Sequence, residues 1–395
     1  MEPSDRRRDM EAVIVGGGIV GLSSACALAE RGVDVTLYEQ GSLGSGSTAR
    51  AAGGIRSQFT TPVNVELSLE SKAVWNDFEA AFDVDIAYRK TGYLFLARST
   101  ERAEQFRDHV RLQRDLGAET GLLSPAEATE HCPGLDPEPF VAATYNGDDG
   151  VADPNLAVQG YARRARELDV DLRPNTPVTD VLRDGEVVSG VEVEEQGEPV
   201  RHEADAVVNA AGAWAARPAA MAGVDLPVSP RRRQMAVVEP AEPVPESVPL
   251  TIDLETGSYF RPEREGVALV GGQFGDEDPA VDPDRFSTEL DLEWAAEAVE
   301  RAADYTAYFG PETRIKRGWA GLYAVTPDHH PIIETSLPGL VTAAGFSGHG
   351  FQHAPATGQI VAELVLDGEP LTVDVSHLDR GRFERGEAIV ERNVA

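Results

Sequence analysis

Four consecutive apolar residues, Ala12-Val13-Ile14-Val15, leave no polar face and predict a short strand buried on both sides. Glycines follow at 16, 17, 18 and 21, and an Ala/Leu-rich stretch from Leu22 to Glu30 reads as a helix that stops at Gly32. Val33 to Tyr38 predicts a second strand, ending at the acid Glu39. The same grammar returns later. Asn175-Thr176-Pro177-Val178 opens a strand that turns at Arg183-Asp184-Gly185, and Asp205 to Trp214 is a strand followed by small residues. Gly339 to Ala344 predicts a further strand, Gly345 to Gln352 a glycine-rich turn, and Ala356 to Leu366 a helix closing at Gly368.

The opening is a complete βαβ unit with G-x-G-x-x-G in its proper place, which predicts a Rossmann-like α/β fold and dinucleotide binding. Gly16 permits the tight turn, Gly18 admits a pyrophosphate to the backbone, and Gly21 lets helix and sheet approach. Ile19 and Val20 lie between them, at a helix N-terminus whose free N–H groups and dipole favour phosphate. Glu39, 18 residues beyond Gly21, is placed to accept hydrogen bonds from ribose hydroxyls, with Gln40 beside it. The Gly/Ser/Ala-rich segment from Gly41 to Gly54 suits backbone wrapped around an extended cofactor, and contributes Ser47, Thr48, Arg50, Ala51, Ala52 and Gly53 as candidate contacts. Val178, Ala210, Gly212 and Trp214 extend the cradle, as do Phe346, Ser347, Gly348, His349, Gly350 and Phe351 of the later turn. No second G-x-G-x-x-G in a βαβ setting follows, so FAD as the redox centre is favoured over a separate nicotinamide site.

Composition adds exclusions. A net charge of −32 argues against nucleic acid, because phosphate binding needs a basic face. The acidic residues are spread from end to end and lysine occurs only at 72, 90 and 316, a pattern that high salt tolerates by screening and that points to a halophilic source. A dedicated acidic docking surface is the other reading of that charge. No apolar run reaches the roughly 18 residues of a membrane span. The polar start from Met1 to Met10 has no apolar core of a secretory signal, so a cytoplasmic protein is expected. Two cysteines, Cys26 and Cys132, make no disulfide framework, and no Cys/His spacing suggests a metal.

Five stretches carry a resemblance over nearly the whole length: GGGIVGLSSACALAERGVDVTLYEQ, GSTARAAGGIRSQF, VVNAAGAWA, AGLYAVTPDHHPII and GFSGHGFQHAPATGQIVAEL. The chain resembles the FAD-dependent amino-acid and amine oxidoreductases, the D-amino-acid oxidase family. It is most similar to members of the sarcosine oxidase beta-subunit, glycine oxidase and archaeal proline dehydrogenase kinds. The resemblance implies a discontinuous FAD-binding domain, residues 1–92, 150–220 and 314–395. Interleaved with it would be an α+β substrate domain, 93–149 and 221–313, whose antiparallel sheet roofs the flavin.

It also implies a site that takes a hydride from a carbon next to nitrogen, with little side-chain chemistry beyond positioning. Arg56 matches the family's carboxylate-binding arginine; Tyr259 and Arg261 lie on a roof strand facing substrate; His349 borders the active site. Either arginine could instead be a structural ion pair, and His349 a loop brace. Asp328, His329 and His330 are expected to form a structural turn. Family members that attach FAD covalently use a cysteine matching Gly321 or a histidine matching Arg50, and neither nucleophile is here, so noncovalent FAD is expected. No histidine lies near Val151–Asn155 to hold a covalent second flavin. The oxygen-activating lysine of some members is also missing, with Leu269 or a neighbour in its place, which tilts the reading toward a dehydrogenase with an unidentified electron acceptor. Gln352 stands where some members have a lysine contact to the substrate carboxylate, which opens the identity of the substrate. Partner subunits are compatible with this pattern. Two other functions use the same scaffold: a 2-hydroxy-acid dehydrogenase, which would need His349 as base, and a flavin-bearing assembly or electron-relay subunit.

Overall fold

The computed structural model describes residues 10–275 and 277–393. Most of the polar opening, read above as lacking a signal segment, lies outside the described residues. Glu11–Val15 is the hub of a six-stranded sheet in the order Ile332–Leu337, Leu340–Ala344, Ala206–Asn209, Glu11–Val15, Asp34–Glu39, Asp171–Pro174. Neighbours run parallel except for the antiparallel edge pair Ile332–Leu337 and Leu340–Ala344. The unbroken apolar run of the first strand has a simple cause. Ala12 and Ile14 pack into the helical layer built by Ile19–Ala29, Pro154–Glu167 and Gly350–Leu366, while Val13 and Val15 pack into a second core on the other face. That second core is closed by a three-stranded antiparallel sheet, Val178–Asp184, Val187–Glu195 and Glu198–Glu203. The strand opening near Asn175 thus belongs to this small sheet and not to the parallel one.

The roof is an eight-stranded sheet in the order Arg314–Val325, Ser229–Glu239, Ala268–Gly272, Ser258–Pro262, Leu250–Asp253, Tyr93–Ala97, Ala142–Asn146, Gly121–Leu123. Only the pair Leu250–Asp253 and Tyr93–Ala97 is parallel. Helix Leu292–Ala303 shields its outer face through Ala295, Ala298 and Ala302. One expected boundary moves. Arg314–Val325 pairs along its length with Ser229–Glu239, from Ser229 opposite Val325 to Glu239 opposite Arg314, so the segment assigned from residue 314 to the cofactor domain begins with a roof strand.

The last long helix also begins earlier than expected, at Gly350 instead of Ala356. Pro355 sits inside the helix, and side chains repair the ladder around it: the Trp75 indole donates to Gln352 O, and Ser71 Oγ accepts from Ala356 N. The consequence is functional, because the helix N-terminus now falls in the glycine-rich turn.

Gly21 has no room for a side chain. A Cβ there would lie 1.9 Å from the Gly16 carbonyl oxygen and 3.4 Å from Ile14. Gly21→Ala is therefore expected to cost about 1–3 kcal/mol or more through overpacking of rigid backbone. Thermal denaturation checks the stability, and the flavin absorbance of the purified variant should show reduced cofactor content.

Candidate active site

The first glycine turn is built by steric exclusion. Gly16 has φ +111°, and a Cβ on it would meet Ala210 O at 2.6 Å, so two strand ends abut there. Gly18 is different: a Cβ would approach only Thr48 Oγ1, at 3.4 Å, which leaves its open side to a ligand. The Glu39 carboxylate accepts from Gly17 N–H at 2.8 Å and Gly41 N–H at 2.7 Å, one bond on each oxygen, and is held at the wall of the cavity with lone pairs to spare. The following loop is pinned to the turn by Gly44 N to Gly17 O at 2.8 Å and by Ile19 N to Thr48 Oγ1 at 3.3 Å. Arg50 ties the loop to itself through the carbonyls of Ser45 and Gly46, and its own carbonyl accepts from the Trp319 indole at 3.0 Å. Gly321 lies beneath it, since a Cβ there would be 2.9 Å from Arg50 Cβ.

These elements enclose a cavity of about 910 Å³ running from the glycine turn to the loop around Ser347. It is lined by every expected cofactor contact except Gly21, which packs inside the turn instead. Helices Ile19–Ala29 and Gly350–Leu366 both present N-termini here, with no capping bond from the N-cap residue and no acidic residue in the first turn, though Thr48 Oγ1 takes the Ile19 N–H. The first-turn N–H groups that remain, and the helix dipoles, favour anions. In a chain of charge −32, the cavity is lined by four arginines, 50, 56, 217 and 233, against two carboxylates, Glu39 and Asp284. An elongated, anion-favouring cavity with a ribose-reaching carboxylate fits FAD. Neither Gly321 nor Arg50 offers a nucleophile.

At the inner end stands Arg56, 5% exposed. Its guanidinium donates to Gln58 O at 2.6 Å, to Asn393 O and to His349 Nε2 at 3.1 Å, and stacks 3.9 Å over the Phe59 ring. Among the described residues no carboxylate reaches ion-pair distance of it. Burial lowers its proton affinity, yet arginine keeps its charge, so a buried cation waits here for an anion. Two of its five N–H donors remain unused. The pairing also fixes His349. Arginine only donates, so His349 Nε2 accepts and the proton sits on Nδ1. Burial, and then the neighbouring Arg56 charge, push its pKa well below the ordinary value and keep the ring neutral.

Three hydroxyls, of Tyr93, Tyr259 and Tyr323, line this end without a hydrogen-bond partner among the described residues. Tyr259 is thus placed as expected. Arg261, on the same strand face as Tyr259, is not part of the cavity lining: it pairs with Glu263 at 2.8 Å and donates to Ala52 O at 3.1 Å. It braces the cofactor loop, the structural role weighed above, because Glu263 and the Ala52 carbonyl engage its guanidinium. Leu269 lies buried in the roof outside the cavity lining, and none of the three lysines lines the cavity. Arg233 takes the cationic place in the roof, held bidentate by Asp278 at 2.7 and 2.9 Å. The run Arg231-Arg232-Arg233 carried that signal, since strand alternation puts one of them over the cavity. Asp149, 0% exposed, belongs to no motif that would mark it in the sequence. It accepts from Ser57 N and Oγ, both at 2.9 Å, and from Lys72 Nζ at 3.0 Å, and so anchors the loop after Arg56.

Residues 11–364 match the family model described as FAD dependent oxidoreductase. The chain belongs to this family. FAD-dependent oxidoreductase domain-containing protein 1 from Xenopus laevis is 31% identical, over 97% of this chain and 84% of the relative. Glycine oxidase from Geobacillus kaustophilus is 30% identical, over 90% and 92%. Among solved structures, L-proline dehydrogenase from P. horikoshii superposes with a TM-score of 0.85 at 34% identity, covering 95% of this chain and 98% of that one. This FAD-dependent oxidoreductase has no helix, among the described residues, long and apolar enough to cross a membrane.

The buried histidines give the site a pH signature. His353, 1% exposed, donates to or accepts from Ser68 Oγ at 3.0 Å, and burial with the Arg56 charge pulls its pKa down to about 3. The unfolded chain binds a proton near pH 6.5 and the folded one does not, so stability is full above that pH and falls as pH drops toward 3. At pH 5 the loss from His353 alone is about 2 kcal/mol. Denaturant unfolding at pH 7.5 and 5 measures it, and His353→Gln should flatten the slope by that amount.

Proposed function

We propose that this enzyme oxidises an amino acid or secondary amine of the sarcosine, proline or glycine kind. One observation carries the reading: Arg56 is a buried, carboxylate-free guanidinium at the inner end of the cofactor cavity. A substrate carboxylate supplies the missing charge through charge-assisted bonds. FAD, when bound, supplies the two-electron acceptor. The chain's own residues hold Arg56 rigid through Gln58 and His349, and offer the His349 Nδ1–H and three tyrosine hydroxyls for orientation.

The geometry favours an amine over a 2-hydroxy acid. An alcohol needs a base, and the Nε2 lone pair of His349 is already held by Arg56, whereas a neutral amine needs none. The solved and curated relatives named for glycine and L-proline support the same class. Lack of a lysine in the cavity lining favours a dehydrogenase handing electrons to an acceptor other than oxygen. The relative called sarcosine oxidase subunit beta, from Arthrobacter sp and 27% identical, supports an assembly with partner subunits. The acidic, lysine-poor composition supports a halophilic, cytoplasmic setting.

Anaerobic addition of a panel of amino acids, secondary amines and 2-hydroxy acids to the flavoprotein should bleach the flavin with members of the first two groups. Bleaching by hydroxy acids alone, or by nothing, overturns the proposal. Reoxidation by an artificial acceptor faster than by oxygen then identifies the dehydrogenase. Arg56→Ala should raise KM by about a hundredfold, the scale of a lost buried charge pair, while flavin content stays at the wild-type level. Loss of flavin instead makes Arg56 a cofactor ligand.

A further inference from the structure

Behind the inner end of the cavity lies a second chamber of about 330 Å³, which shares Arg233, Tyr323 and Ser347 with it. Its far wall is Val390 to Arg392, with His329 beside them. The same segment reaches the first cavity, since Asn393 O accepts from Arg56. One short stretch of chain therefore touches the carboxylate clamp and walls the chamber behind it.

The acids and the donors of this chamber differ in one respect. Its acids are satisfied. Asp278 gives both oxygens to Arg233, at 2.7 and 2.9 Å. Glu391, 1% exposed, accepts from Thr60, Thr61 and Asn64 at 2.8 to 3.1 Å and from Asn393 N at 3.1 Å. Its donors are not. Arg392 makes no ion pair among the described residues, and only its backbone N–H is engaged, by Thr60 Oγ1 at 3.3 Å. His329 is held in the left-handed region, at φ +63°, with a buried Nδ1 that has no partner. A non-glycine residue keeps that conformation when its surroundings enforce it.

We infer that the second chamber is a subsite for the distal part of the substrate and takes a carboxylate, so that the preferred substrate is a dicarboxylic amino or imino acid. The carboxylate next to the reacting carbon goes to Arg56, and the distal one to Arg392, in the chamber that His329 also lines. Tyr323, shared by both cavities, lies along the path between them. The inference rests on the amine-oxidising reading and adds the substrate class to it.

Succinate, glutarate and adipate, each paired with the monocarboxylate of equal carbon number, are titrated into the FAD-loaded enzyme at fixed ionic strength. Flavin absorbance gives each Kd, and protection against amine-driven bleaching confirms competition at the site. At least one diacid should bind about tenfold tighter than its monoacid, the scale of one added charge-assisted contact. Arg392→Gln, an exposed substitution compatible with folding, should shrink that gap to below about threefold, and Arg392→Glu should abolish it. Monoacids and diacids that compete equally well, or a gap that survives Arg392→Gln, overturn the subsite and leave the amine reading standing. Carboxylates of neither kind perturbing the flavin overturn the amine reading itself.

Discussion

A cation buried without its counter-ion sets the terms of this active site. Taking a guanidinium out of water is strongly unfavourable unless fixed dipoles or a charge compensate it. Here the fold compensates Arg56 in part, with two backbone carbonyls, a neutral imidazole and an aromatic face. None of these is a charge, so the residual attraction for a carboxylate is preserved, in a low-dielectric place where it is strong. The surroundings follow from that arrangement. The loop beyond Arg56 is held by the Asp149–Lys72 pair, and the imidazole is held neutral by burial.

The same economy of charge governs the cofactor cradle. Phosphate is attracted by two helix N-termini and by arginines, while the bulk of the chain carries a strong negative charge. Local fields decide binding because the distant surface acids are screened within about 10 Å at ordinary ionic strength. The acidic surface and the anion-favouring interior therefore coexist without conflict.

Much of the cofactor site was legible in sequence because it is made by backbone. A turn at φ +111° and an approach of 2.6 Å to a carbonyl leave glycine as the residue that fits, and such positions announce themselves at fixed spacing. The substrate end is made by side chains brought together from distant segments. Arg56 meets His349 and Asn393, which lie 293 and 337 positions further along, and Asp149 acts on Ser57 from 92 positions away. Arg261 and Arg233 both sit on roof strands, and only the partners each one meets separate the brace from the cavity wall.

By itself, then, the sequence determined the βαβ opening, the glycine turns, the identity of the cofactor and four of the six strands of the central sheet, since these follow from local sterics and the period of apolar residues. Only the tertiary structure decided which arginine is left without a carboxylate, which nitrogen of His349 carries its proton, where the final helix begins around Pro355, and that Arg314–Val325 closes the roof. Those outcomes depend on what lies across a gap in space, and a one-dimensional pattern holds no record of it.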